Sequence, residues 1–171
     1  FSRFLSLIVV FFFSVNVSAS HVPGGNISYE CIGPNTYVIT LTVFEDCGTA
    51  FISNFPESID VYNNCGLPYP SSISLPIITY QQEVSQLCIQ MIGQSECNGG
   101  SFPGVYMHVY QDTITLPGNC DSWVFSYDNC CRNASNNLTG TGNDYYWESV
   151  LNSTTAPCNS SPVITAQPIP Y

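Results

Sequence analysis

Nine cysteines in 171 residues, all of them downstream of an apolar N-terminal stretch, constrain this chain more than any other feature. The stretch has the parts of an export signal. Arg3 supplies a positive start, Leu5 to Phe13 is almost wholly apolar, and Val17-Ser18-Ala19 has the small-residue spacing of a signal-peptidase site. Its apolar run falls short of the ~20 residues that a membrane-spanning helix needs. Residues 1–19 are therefore read as a signal peptide, and residues 20–171 as an exported module that does not itself insert into a membrane. A start without Met and an end at Pro168-Ile169-Pro170-Tyr171 lead us to expect a piece of a longer polypeptide, truncated at its C-terminal side.

Export decides the chemistry of the thiols, because disulfides form and persist in oxidising compartments. The candidates are Cys31, Cys47, Cys65, Cys88, Cys97, Cys120, Cys130, Cys131 and Cys158. A structural zinc site draws on closely spaced ligand pairs. This chain has no C-x-x-C, and His21 and His108 lie far in sequence from any cysteine pair, so no metal and no cofactor is expected. The odd count leaves at least one thiol without a partner in this stretch. Composition does not choose among the possible pairings. Cys130 and Cys131, as neighbours on an extended chain, point opposite ways and are expected to bridge to different partners.

The charge balance narrows the partners. Two cations stand against twelve carboxylates, for a net charge of −10. Arg3 leaves with the signal, so Arg132 is the one cation of the mature chain, and it is expected to pair with a carboxylate beside Cys130-Cys131. Phosphate recognition depends on clustered Lys and Arg, so nucleic acid is excluded as a partner. The carboxylates are dispersed and form no calcium-binding loop. Only 8% of residues are charged while 13% are aromatic, a composition that argues for a packed core rather than disorder.

The hydropathy period is two. In Thr36 to Phe44, Tyr37, Ile39, Leu41 and Val43 share one face, which predicts the best strand of the chain. Asn26 to Ile32 predicts its hairpin partner across Gly33-Pro34-Asn35. Further strands are predicted over Ser58 to Tyr62, Ser71 to Thr79 (interrupted at Pro76, hence an edge or a bulge), Val105 to Tyr110, Thr113 to Leu116, Ser122 to Tyr127, Tyr145 to Leu151 and Val163 to Ala166. A kink is expected at Gln111-Asp112 and a long loop over Asn133 to Asn143. Tyr80 to Ile92 carries Val84, Leu87, Cys88 and Met91 at helical spacing and predicts a helical turn. Short strands with Gly, Pro and Asn punctuation predict an all-β fold, an antiparallel β-sandwich, immunoglobulin-like or related, stapled by disulfides.

No catalytic motif is evident. His108 with Asp112 and a serine makes a hydrolase triad only on paper, and His108, between Tyr106 and Tyr110, reads as a surface or cross-strand packing residue. Glu45-Asp46 reads as a solvent-facing acidic pair. Asp144 and Glu148 would lie ~13 Å apart on a strand, too far for either glycosidase geometry. No enzymatic activity is expected. Tyr145, Tyr146 and Trp147 are candidate sugar-binding rings, since aromatics on both faces of one strand leave a ring exposed, although the stripe of Trp123, Phe125 and Tyr127 reads as core.

Several segments in order resemble a known family. These are Ser20 to Glu30, Tyr37 to Cys47, Cys97-Asn98-Gly99-Gly100, Pro103-Gly104-Val105, His108-Val109-Tyr110, Thr113 to Pro117, and Trp123 to Tyr127 followed by Cys130-Cys131-Arg132-Asn133-Ala134, then Pro157 to Pro162. Together they resemble the N-terminal region of large secreted surface proteins of Bacteroidota, gliding-motility-associated or adhesin-like. The resemblance spans nearly all of the mature chain and transfers no catalytic residue. It implies a β-rich module of a multidomain cell-surface protein exported by the type IX route, followed by further domains of the same polypeptide. The implied role is structural or adhesive, toward a surface ligand of polysaccharide or protein. The alternative is a carbohydrate-binding module.

Overall fold

The computed structural model describes residues 22–48, 52–130 and 144–162. The predicted signal peptide, the strand over Val163 to Ala166, the Asn133 to Asn143 loop, Cys131 and Arg132 lie outside the described residues. Among the described residues, eight strands form two four-stranded antiparallel sheets, an all-β sandwich as the period-two pattern predicts. β1 (Gly24–Gly33), β2 (Thr36–Asp46), β6 (Val105–Thr115) and β5 (Ile77–Glu83) make the first sheet in the order β1-β2-β6-β5. β3 (Glu57–Asn63), β4 (Ser72–Leu75), β7 (Trp123–Asn129) and β8 (Tyr145–Leu151) make the second in the order β4-β3-β7-β8.

The β1–β2 hairpin turns at Pro34-Asn35, where Asn35 takes φ 52°, a left-handed conformation that asparagine tolerates better than most residues. Strict alternation then drives Tyr37, Ile39, Leu41 and Val43 of β2 into the core. They face Ile59 and Val61 of β3, Trp123, Phe125 and Tyr127 of β7, and Leu75 and Leu151. The Trp123 indole donates to the Gly118 carbonyl at 3.3 Å, and Tyr69 packs edge-on against its ring. Burying its polar tip with a partner lets the largest side chain sit fully inside.

Pro76 separates β4 from β5 and marks the point where the chain leaves one sheet for the other. It lacks an N–H to give to a ladder, and its carbonyl accepts from Gln111 N at 3.0 Å. The predicted interruption is thus a sheet-to-sheet crossing between two edge strands.

Two local expectations fail. Val105–Thr115 is one continuous strand, with no kink at Gln111-Asp112, because both residues stay in register with β2. Gln111 Nε2 donates to Thr40 Oγ1 at 2.8 Å on the outer face, which satisfies the amide without breaking the ladder. The helical turn over Tyr80 to Ile92 is absent. Tyr80 to Glu83 belong to β5, and short 3₁₀ turns appear only at Ile92–Gln94 and Glu96–Asn98. The register of β5 against β6 shifts twice, with Gln81 at φ 50°. Val84 N then donates to Val105 O, and Val105 N donates to Ser85 Oγ, so pairing extends past the strand and outcompetes helix.

Three disulfides between described residues fasten the ends of the sandwich. Cys31–Cys158 ties β1 to the segment after β8, Cys47–Cys97 ties the end of β2 to the second 3₁₀ turn, and Cys65–Cys120 joins the loops after β3 and before β7. Around the first, Ser160 Oγ and Ser161 Oγ accept from Cys31 N and Tyr29 N, Ser161 N donates to Tyr29 O, and Tyr37 OH donates to Pro157 O. The free edge of β1 is thereby partly covered, which removes a template for pairing with another chain.

Candidate functional site

The inner face of β2 continues one residue pair beyond its apolar run. Glu45 has the parity of Tyr37 to Val43 and is 1% exposed, not solvent-facing as expected. Val43 is in register with His108 of β6, so Glu45 lies one diagonal step from that histidine. Glu45 Oε2 and His108 Nε2 meet at 2.5 Å, with both side chains buried. Neither the surface position considered for His108 nor a triad with Asp112 is realised. Asp112 is exposed and accepts from its own neighbour, Thr113 N. Glu45 Oε1 accepts from Ile52 N at 3.0 Å, and Tyr80, packed edge-on against His108, donates its hydroxyl to Ile52 O. Burial first, and the Glu45 carboxylate second, raise the Tyr80 hydroxyl above its usual range. The pair thus pins the chain leaving β2 across one end of the sandwich. Parity was the available signal; the partner, 63 residues away, was not readable.

Beside this pair, the sheets part around a cavity of about 130 Å³. Val43 and Tyr110 line it from the first sheet, and Glu57, Tyr127 and Tyr145 from the second. Tyr127 donates to Glu57 Oε2 at 3.1 Å and accepts from Asn129 Nδ2 at 3.0 Å. The Tyr110 hydroxyl is fully buried without a partner among the described residues. Burial raises the Tyr110 and Tyr127 hydroxyls and pushes Tyr145 up to about 12.

Burial also raises the Glu57 carboxyl, and the Tyr127 hydrogen bond offsets only part of that rise. A carboxyl with a raised folded value favours folding while protonated. Its contribution is complete below the ordinary 4.5 and is lost as pH climbs through the folded value. Glu57→Gln is expected to flatten that part of the stability profile, so the variant gains on the parent as pH rises from the ordinary 4.5 through the folded value. Urea midpoints across this range measure it, and an unchanged difference between the two proteins would contradict it.

The three candidate sugar-binding rings of β8 do not share a face. Tyr145 is buried, stacked on Trp147 with centroids 4.6 Å apart, and Tyr127 stacks on Trp147 at 5.8 Å. Trp147 is half-buried and lies directly over Gly25 of β1. Tyr146 alone points outward, 57% exposed, with its hydroxyl donating to Glu148 at 2.9 Å. At Gly25 an added Cβ would run into the Trp147 ring and lie 2.5 Å from the Thr42 carbonyl. Gly25→Ala should therefore cost about 1–3 kcal/mol as overpacking, read from a urea midpoint. A change below the measurement error would show that Trp147 is free to move.

Asp144 and Glu148 are both exposed. Glu83, which no sequence pattern singled out, gathers Ser95, Ser85 and Asn98. Burial pulls its carboxyl up, but the three hydrogen bonds together hold it below its usual value. The residues around it brace the 3₁₀ turns against β5. Of the cysteines, Cys130 is disulfide-bonded and Cys88 is free and exposed. Among the described residues, Cys65, Cys120 and Asp121 are the one group of close metal-ligand atoms, but the two sulfurs are already bonded to each other and offer no thiolate. No described helix is long and apolar enough to cross a membrane. No family model matches the chain, and no curated protein or solved structure matches it either.

Proposed function

We propose that this chain is a non-catalytic structural or adhesive module of a secreted, multidomain cell-surface protein. The observation that carries the reading is the use made of its reactive side chains. Six cysteines are spent as long-range staples, and the buried acid and histidine hold a loop rather than face a cleft. Disulfides suit an oxidising, extracellular address. The resemblance to type IX-exported proteins of Bacteroidota supports the same address. Protease shaving of intact cells tests it: the module should be released or degraded with the membrane intact, carrying oxidised cysteines. Recovery from the cytoplasm with free thiols overturns it.

A carbohydrate-binding module is the second reading, and one observation favours it. Tyr146 and Tyr62 are both more than half exposed on the outer face of the second sheet, and each is close to a carboxylate, Glu148 and Asp60 respectively. Exposed rings beside hydrogen-bond acceptors suit neutral sugars. Retention on an insoluble polysaccharide that is lost in Tyr146→Ala and Tyr62→Ala, but kept in Phe55→Ala, supports it. Equal retention of all three variants counts against it.

A further inference from the structure

The cavity between the sheets is built for an occupant that the described residues do not supply. Its volume of about 130 Å³ approaches that of a ~150 Å³ engineered cavity that admits benzene, so it suits a ligand of roughly six heavy atoms. Its described wall sets one carboxylate, Glu57, among three tyrosine side chains. An ionised carboxylate offers about four acceptor positions, and Tyr127 is the one described donor to Glu57. Tyr127 already gives its proton to Glu57 and takes one from Asn129, so it has no second proton to offer. The Tyr110 hydroxyl is fully buried at the same cavity, without a partner among the described residues. No described cation balances Glu57, and its burial disfavours the charged form.

We infer that this cavity binds a small organic ammonium ion, with Glu57 as its counter-charge and the Tyr110, Tyr127 and Tyr145 side chains as its wall. An ammonium brings a positive charge, which no described residue sets against Glu57, and N–H groups that can donate to both Glu57 and the Tyr110 hydroxyl. Aromatic rings attract cations, and do so more strongly in a desolvated site. An anion is repelled by Glu57, and a neutral alcohol of the same length leaves the carboxylate uncompensated. Water could satisfy Tyr110 but brings no charge. The exposed Asn129 and half-buried Ser53 stand in the wall and give the cavity a polar approach from solvent.

The test is titration of the disulfide-intact chain at about pH 7 with n-butylammonium and, in parallel, with its neutral analogue butan-1-ol, followed by ligand-observed NMR. Saturable butylammonium binding is expected, at least tenfold tighter than the alcohol, with nuclear Overhauser contacts to tyrosine ring protons. Glu57→Gln should weaken it tenfold or more, and Tyr110→Phe several-fold. Tyr110→Phe removes only a hydroxyl without a partner among the described residues, so that variant should melt as the parent does and gives a second, independent reading. Equal affinity for the alcohol, no saturable binding, or unchanged affinity in Tyr110→Phe would each overturn the inference and leave a cavity that holds water.

Discussion

Reduction of the three described bridges is expected to unfold the sandwich at room temperature. The bridges close intervals of 127, 50 and 55 residues. In the chain-entropy description, loops of that size restrict the unfolded chain by about 4–5 kcal/mol each, and losing a native bridge costs about 2–5 kcal/mol in practice. A domain of this size is stable by only about 5–15 kcal/mol, so the bridges together account for most of its margin. The largest single effect is expected at Cys31–Cys158. That bridge spans the longest interval and holds residues 157–161 against the edge of β1. Replacing both of its cysteines by serine should lower stability by about 3–5 kcal/mol and expose the β1 edge to self-association. Chemical denaturation with and without reductant, together with light scattering, gives the answer. A reduced protein that keeps its cooperative melting transition would show that the core suffices without sulfur.

The second large effect belongs to Glu45 and His108. Breaking a buried pair by removing one partner costs about 3–5 kcal/mol, because the other polar group stays inside uncompensated. Glu45→Ala should reach that range, since it also strips Ile52 N of its acceptor and releases the chain that crosses the open end. The double replacement Glu45→Leu with His108→Phe should cost less than the sum of the single changes, because no polar group is then stranded. A coupling of about 1–3 kcal/mol is expected from the double-mutant cycle. Additive single effects below about 1 kcal/mol would mean that the pair is reached by water and holds nothing.

Strand phase was legible wherever one face is buried and the other wet. β2, β3 and β8 alternate along their length, and so do the large rings of β7, where Ser126 between Phe125 and Tyr127 is buried as well; a slip of one residue would turn their apolar sets outward. The 84–91 stretch misled because Val84, Leu87, Cys88 and Met91 match a helical stripe equally well. Val84 N bonding to the Val105 carbonyl, and Ser85 Oγ accepting from Val105 N, contacts some 20 residues distant, decided otherwise. Gln111-Asp112 misled in the opposite sense: two polar residues look like a break until Thr40, on the neighbouring strand, takes the amide.

The candidate site was less legible than the fold. Its residues come from β2, β3, β6, β7 and β8, and each reads differently alone. Glu57 is a strand-end acid, Tyr127 one ring of a core stripe, and Tyr110 a companion of His108. Only the closure of two sheets sets Glu57 against Tyr127 and leaves the Tyr110 hydroxyl without a mate among the described residues. Of the three candidate sugar-binding rings, Tyr145 and Trp147 turn inward with the parity of β8, and Tyr146 stays outside.

Local patterns by themselves determined that this chain forms short alternating strands, that it buries aromatic and branched side chains, and that its many cysteines are available for cross-links. Alternation and composition act over a few residues, so they are written in every segment. Tertiary structure alone decided which cysteines pair, which acid goes inside, and where the sheets leave space. Those outcomes depend on distances between residues 50 to 127 positions apart, and only the mutual register of the sheets sets them.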